Sequence, residues 1–384
     1  MPDRPPMVRT DVTNAFAHNT MKVRVPAIIR EVQALNPEYS PSIQAALSRL
    51  AESMENNQPI PMIDPLSPDY EMWAACFAPY AGDTWLNTDW FFAEVYCYRL
   101  LMQAVRWWET GRDPFAPKKE AEIGSAGLWT LLEKALAPEG ETPEQKLKRL
   151  IQDDLWGNRI DLSFAAAQAH GTSVGSDDLL VDDSEAVVQH ILSSSGDFHL
   201  IADNTGTELA MDLVLIDALL TQPDNRVFLH LKMHPTFVSD ATVPDVRHLT
   251  EKIMVHPRPT VQALGVRLER AFQDGRLRFA PDLYWNSTRV LEDMPTHLVN
   301  VFHSAILTII KGDANYRRMV ADRLWSPSTP YAFVTSYFPS PLLALRTLKS
   351  DMIVGLPSGM AERLDSEDPQ WRINGRRGLI QFRP

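Results

Sequence analysis

Four polar clusters carry the chemistry open to this chain. Asp203-Asn204 closes the short apolar run HLIA, and Glu208 follows about one helical turn later. Lys232, His234, Ser239 and Asp240 lie in LHLKMHPTFVSDAT, after a strand-like VFLHL. Lys311, Asp313, Asn315 and Arg317 lie in KGDANYRR after AILTII, and Arg346 and Lys349 lie in RTLKSD before MIVGL. Asp203, Asn204 and Asp240 offer hard oxygen ligands, suited to Mg²⁺ or Mn²⁺ and poorly suited to Zn²⁺. Lysine and arginine converging on the same edge would supply the positive charge that a phosphoryl group needs in ground and transition states. The set reads as a metal-assisted phosphate site. Taken singly, each piece has a plainer role, since Asp203 and Asp240 are good helix caps, KGD is a turn and Arg346 with Lys349 suits a solvated face. Recurrence at successive strand ends is what favours a site.

Strands and helices must place these residues. In Phe198–Leu220 the run HLIA is bounded by polar residues, and Leu209, Leu213, Ile216 and Leu220 then recur at helical spacing. Asp203 and Asn204 therefore fall at a strand's carboxyl edge, facing a helix N-terminus, where open α/β sheets bind ligands and anions are favoured. The runs HLIA, VFLHLKM, LRFA, AILTII, YAFV, MIVGL and GLIQF alternate with helical stretches from about residue 185. That alternation predicts a Rossmann-like, mostly parallel sheet flanked by helices, an α/β fold over 185–384. Residues 1–184 read as a helical domain joined by Pro-rich loops, with helices over Ser42–Glu55, Asp89–Gly111 and Ser125–Ala137 and another opened by Pro143. The Gly- and Asp-rich stretch 171–183 is a candidate linker or lid.

Composition narrows the partners. The 49 acidic residues exceed the 37 lysines and arginines, giving a net charge of -12 and no electrostatic footprint for nucleic acid. MPDRPPMVRTD lacks the apolar core of a signal peptide, and no apolar run reaches the roughly 20 residues that cross a bilayer. The reading is a cytoplasmic protein with no membrane partner. Cys76 and Cys97 sit among aromatic and aliphatic residues and are expected as buried thiols in a reducing compartment. His234, between Met233 and Pro235, suits a structural role better than general acid chemistry, and Trp107, Trp108, Phe91 and Phe92 read as core. His18 and His170 show no partner in sequence.

DNTGTE, FVSD, KGDANYR and RTLK, in this order, resemble the damage-control phosphatases of the domain-of-unknown-function 89 family. The match is to the branch that contains animal acidic residue methyltransferase 1 and its fungal sugar-phosphatase relative, marked by an RTxK motif, here Arg346-Thr347-Leu348-Lys349. LWGNRIDLS (Leu155–Ser163), AEVYCYR (Ala93–Arg99) and WRINGRRGLIQF (Trp371–Phe382) extend the resemblance over nearly the whole chain. It implies a helical N-terminal domain beside a Rossmann-like one, metal held by Asp203, Asn204 and Asp240, and catalysis by Asp203, Asp240 and Lys349. It further implies substrate contacts from Asn204, Glu208, Lys311, Asp313, Asn315, Arg317, Arg346 and Lys349, with Mn²⁺ or Mg²⁺ as cofactor and Co²⁺ or Ni²⁺ admitted. The substrates implied are small phosphorylated metabolites such as fructose phosphates. Thr236 and LYWNST at Leu283–Thr288 depart from the family pattern, which puts the pocket wall and the substrate's identity in doubt. Three alternatives stay open: a carboxyl methyltransferase using S-adenosylmethionine, for which no glycine-rich loop follows the first strand, a sugar-phosphate-binding protein, and a repurposed biosynthetic metalloenzyme.

Overall fold

The computed structural model describes residues 4–170 and 178–384, the side chains of 158–170 apart. Seven strands form one sheet: β1 Leu179–Asp182, β2 Asp197–Ile201, β3 Arg226–Leu231, β4 Leu277–Pro281, β5 Leu307–Lys311, β6 Leu342–Thr347 and β7 Gly378–Arg383. Their order is β1-β7-β6-β5-β2-β3-β4, and β6–β7 is the one antiparallel pairing between them.

Strands buried on both faces are apolar throughout rather than alternating, because helices cover each side. β5 and β6 are buried along their whole length. Their alternate residues serve two cores. Leu307, Ile309, Leu343 and Leu345 join one core with the helices Ala126–Leu136, Thr207–Leu219 and Pro259–Gln273. Ile310, Leu342 and Ala344 join the other, with the N-terminal helices Val25–Leu35, Pro41–Glu55 and Trp90–Ala104. The helices of the chain's first half are thus the outer layers of the sheet, packed on both faces. Cys76 and Cys97 are buried and unbridged, and burial pushes the Cys97 thiol far up.

The chain runs β2, β3, β4 toward one edge and then returns to place β5 on the other side of β2. Strand order therefore reverses between β2 and β5, and a crevice opens outside the carboxyl ends of the strands at such a point. Asp203 follows β2, and Gly312-Asp313 follows β5.

Several expected elements differ. YAFV forms the helical turn Tyr331–Val334 behind Pro330, because a four-residue apolar run has no period that separates strand from helix. Met352, Ile353 and Val354 are buried without entering the sheet, and Val354 accepts a 2.7 Å bond from the Gln381 side chain. The strand there is LLALRT, so Arg346 and Thr347 lie at the end of a strand rather than ahead of one. β1 falls inside the stretch expected as linker, pairing with β7, while 171–177 and His170's side chain lie outside the described residues. The helix over Asp89–Gly111 breaks at Arg106, φ 57°, and Gly111, φ 64°, caps the short turn that follows.

Candidate active site

At the reversal point a cavity of about 180 Å³ is lined by Asp203, Asn204, Ser239, Asp240, Asp313, Arg317 and Lys349 from the sheet's edge. Phe16, Arg24, Trp90 and Glu94 of the helical layer face them, with Phe237 beside. Backbone pairing sets the first cluster. Ala241 N–H donates to the Asp203 carbonyl at 2.8 Å, Thr205 N–H donates to the Ser239 carbonyl at 2.7 Å, and Asn204 bridges to Asp240.

The loop carrying Asp240 is strained, with the consecutive non-glycine residues Phe237 and Val238 at φ 46° and 72°. A β-branched residue in that region costs about 1–3 kcal/mol and persists only where its surroundings hold it. Lys119 from the helical layer supplies part of that hold, donating to the Asp240 carbonyl at 3.1 Å while pairing with Asp113 at 2.9 Å and Asp245 at 2.8 Å.

Asn204 is oriented by three partners. Its Nδ2 donates to Asp203 Oδ2 at 3.0 Å and Glu208 Oε2 at 2.9 Å, and Ser239 Oγ donates to its Oδ1 at 2.6 Å. The assigned amide orientation leaves Oδ1 as the ligand atom. Glu208 itself does not line the cavity; it sets the amide from behind.

Asp203 Oδ1 is buried and accepts no hydrogen bond among the described residues, while Asp240 Oδ2, equally buried, is paired with Lys232 Nζ at 3.3 Å. Burial first, then the Asp240 and Glu208 carboxylates, push the Asp203 acid well above the usual range, against Lys232 and Lys349. Burial likewise lifts Asp240 to about 6 despite Lys232. Among the described residues no three His, Cys, Asp or Glu side chains converge as a cage. The donor set is two carboxylates and one amide oxygen, with an orphaned buried oxygen on Asp203, and it fits a hard divalent cation better than a soft one.

The cations expected to grip substrate divide sharply. Lys349 lines the cavity, half-buried and with no ion-pair partner within 4 Å among the described residues, its backbone N–H tied to Asp313 Oδ1 at 3.3 Å. Arg317 lines it too, but Glu94 at 2.6 Å and Asp322 at 2.7 Å already hold its guanidinium, stacked 3.6 Å over Trp90. Arg346 does not reach the cavity. It is fully buried against Asp313 at 2.7 Å, the Ser350 hydroxyl and carbonyls, with Tyr316's ring 4.2 Å away. Lys311, expected to touch substrate, turns away into a buried cluster with Asp154 at 2.6 Å and Asp212 at 2.9 Å. Asn315 is a brace as well, donating to the Ala202 and Lys311 carbonyls, both at 3.0 Å. Asp313 does line the cavity; burial would raise its acid, yet Arg346 and Arg317 prevail and hold it below its ordinary value.

His234 is buried between Trp107 and Trp108, its pKa lowered to about 4 by burial, which makes it structural. The departing segment near Leu283 does not line the cavity: Trp285's carbonyl accepts from Lys232 at 2.8 Å and Asn286 Oδ1 from Met233 N–H at 2.7 Å. Thr236 is buried behind Phe237. Phe16 and Arg24, delivered by the N-terminal helical segment, carry no local pattern that marks them, whereas Glu94 lies inside the matched AEVYCYR segment.

The model of the damage-control phosphatase ARMT1-like domain matches residues 20–364. Damage-control phosphatase ARMT1 of Danio rerio is 28% identical over 96% of this chain and 94% of its own length. The Mus musculus protein of the same name is 27% identical, covering 100% and 99%, and the Homo sapiens one is 26% identical, covering 96% of each. A solved DUF89 family protein from Pyrococcus horikoshii aligns over 94% of this chain and 97% of its own, with a TM-score of 0.48 and 14% identity. With a family match spanning the cavity-lining strand ends and most of the helical layer, this chain belongs to the damage-control phosphatase ARMT1-like domain family.

Proposed function

We propose that this phosphatase is divalent-metal-dependent and acts on small phosphorylated metabolites of the sugar-phosphate class. One observation carries the reading. The orphaned carboxylate oxygen of Asp203, the Asp240 carboxylate near it and the ammonium of Lys349, unpaired among the described residues, line the same cavity.

Asp203, Asp240 and the amide oxygen of Asn204 are the residues to hold the ion, whose charge would stabilise phosphoryl oxygens in ground and transition states. Lys349 brings a further positive charge to those oxygens, preorganised on a loop tied to Asp313. Trp90 and Phe16, in edge contact at 5.7 Å, give an apolar wall for a sugar's carbon face. Glu94 and Asp313 each retain a carboxylate oxygen for sugar hydroxyls.

Phosphate release from a sugar-phosphate panel, after chelation and with Mn²⁺ or Mg²⁺ restored, tests the proposal. Metal-restored release that Asp203→Asn and Asp240→Asn each abolish is expected. Equal release in chelator and in metal would overturn the metal dependence.

A further inference from the structure

Arg24 is the cation of this cavity that the metal site and the phosphoryl group do not account for. It ends a π-helical turn, Thr20–Arg24, set between Ala15–Asn19 and Val25–Leu35. Such turns insert an extra residue into a helix, re-aim the side chains that follow and occur frequently at functional sites. Here the turn places Arg24 at the cavity, on the wall opposite the strand ends. Arg24 is exposed at the cavity's mouth, and its guanidinium makes no hydrogen bond or ion pair among the described residues. The neighbouring arginines contrast with it, since Arg317 and Arg346 are each locked to carboxylates.

The two free cations act on different parts of the cavity. Lys349 reaches the cavity from the loop after β6, tied to Asp313, whereas Arg24 reaches it from the helical layer, with Phe16. Sugar hydroxyls on that side already have an acceptor in Glu94 and have no need of a guanidinium. A planar fork of donors matches a carboxylate or phosphate bidentately.

We propose that Arg24 recognises a second acidic group on the substrate, remote from the phosphoryl group that is removed. The preferred class is therefore a sugar bisphosphate or a phosphorylated sugar acid. This rests on the phosphatase reading of the same cavity.

The test compares the native protein, Arg24→Gln and Arg24→Lys on a hexose monophosphate, the bisphosphate of the same hexose, and phosphogluconate. Arg24→Gln should lower the preference for the two-acid substrates over the monophosphate, as a ratio of kcat/KM, by about tenfold or more, the loss of one charge-assisted bonded pair. The change should lie in KM, and Arg24→Lys should restore part of it. A merely structural role would lower kcat and melting temperature together and leave the ratio alone. A ratio unchanged within about threefold overturns the proposal. If bisphosphate and phosphogluconate differ in their response, the larger effect tells which acid Arg24 reads. If no substrate releases phosphate, the phosphatase reading fails, and calorimetric affinities of the same three compounds with Mn²⁺ present still decide Arg24 by the same ratio.

Discussion

Gly312 lies so close to Asp203 that a Cβ at position 312 would overlap the Asp203 carboxylate. The two residues close β2 and β5, the strands between which chain order reverses, and the backbone must pass directly against the acid there. Gly312 also holds φ at 79°, which a side chain disfavours.

Gly312→Ala therefore combines backbone strain with displacement of a candidate ligand. It should cost about 1–3 kcal/mol in urea unfolding and lower phosphatase kcat/KM by about tenfold or more. Native kinetics in this variant would show that Asp203 need not stay where Gly312 keeps it.

Glu208 predicts a separable effect, because it acts through Asn204 rather than on any ligand in the cavity. Glu208→Ala should weaken Mn²⁺ binding by about 10–100-fold, the usual cost of removing a group that orients a metal ligand. Calorimetric titration of metal into the variant checks this, and unchanged affinity would mean that Ser239 alone orients the amide.

Lys311 and Lys349 should respond in opposite ways to loss of charge. Lys311→Met strands Asp154 and Asp212 in the interior and should destabilise the fold by about 3–5 kcal/mol. Lys349→Met breaks no ion pair, should leave unfolding within about 0.5 kcal/mol of native, and should lower kcat/KM by about 100-fold. Chemical unfolding and phosphate release measured on both proteins separate the two roles.

These lysines mark where sequence reading reached its limit. The sheet was legible in runs such as VFLHL and AILTII, whose continuous apolar character is what burial on both faces demands. Asp203, Asn204 and Asp240 were legible because strand ends in an α/β sheet point to one edge, whereas Lys349 was reached through the RTxK motif, since the strand beside it was expected after it rather than before. Motif membership could not say which side of its strand end each residue serves. Lys311 and Asp313 are two positions apart, yet the first enters a buried ion cluster behind the sheet and the second lines the cavity. The opposite wall was invisible for another reason: Phe16 and Arg24 reach the site through helix packing, which leaves no local pattern.

His199 and His230, on β2 and β3, predict acid sensitivity. Their rings share a 2.9 Å hydrogen bond, so one donates and the other accepts, and both are neutral in the fold. Burial lowers His199 to about 4 and His230 well below its ordinary value. The unfolded chain binds these protons near pH 6.5, so their contribution is complete above that pH and is lost as pH falls toward 4. Urea unfolding should show stability dropping across this window, with a smaller drop in His199→Phe/His230→Leu. Identical slopes in the two proteins would assign the acid sensitivity elsewhere.

Ligand-induced stabilisation distinguishes phosphoryl chemistry from methyl transfer. A phosphate dianion finds Lys349 unpaired among the described residues of the cavity, whereas S-adenosylmethionine carries a sulfonium cation that would face the same charge. The carboxylates that might balance that sulfonium are the ones a divalent ion would occupy, so the two ligands respond oppositely to metal. A ligand selective for the folded state raises Tm by mass action. Inorganic phosphate and hexose phosphates should raise Tm more with Mn²⁺ present than without, and Lys349→Met should reduce the shift. S-adenosylmethionine should give no saturable shift in either condition. A saturable, metal-independent rise with S-adenosylmethionine, and none with phosphorylated compounds, would assign the cavity to methyl transfer.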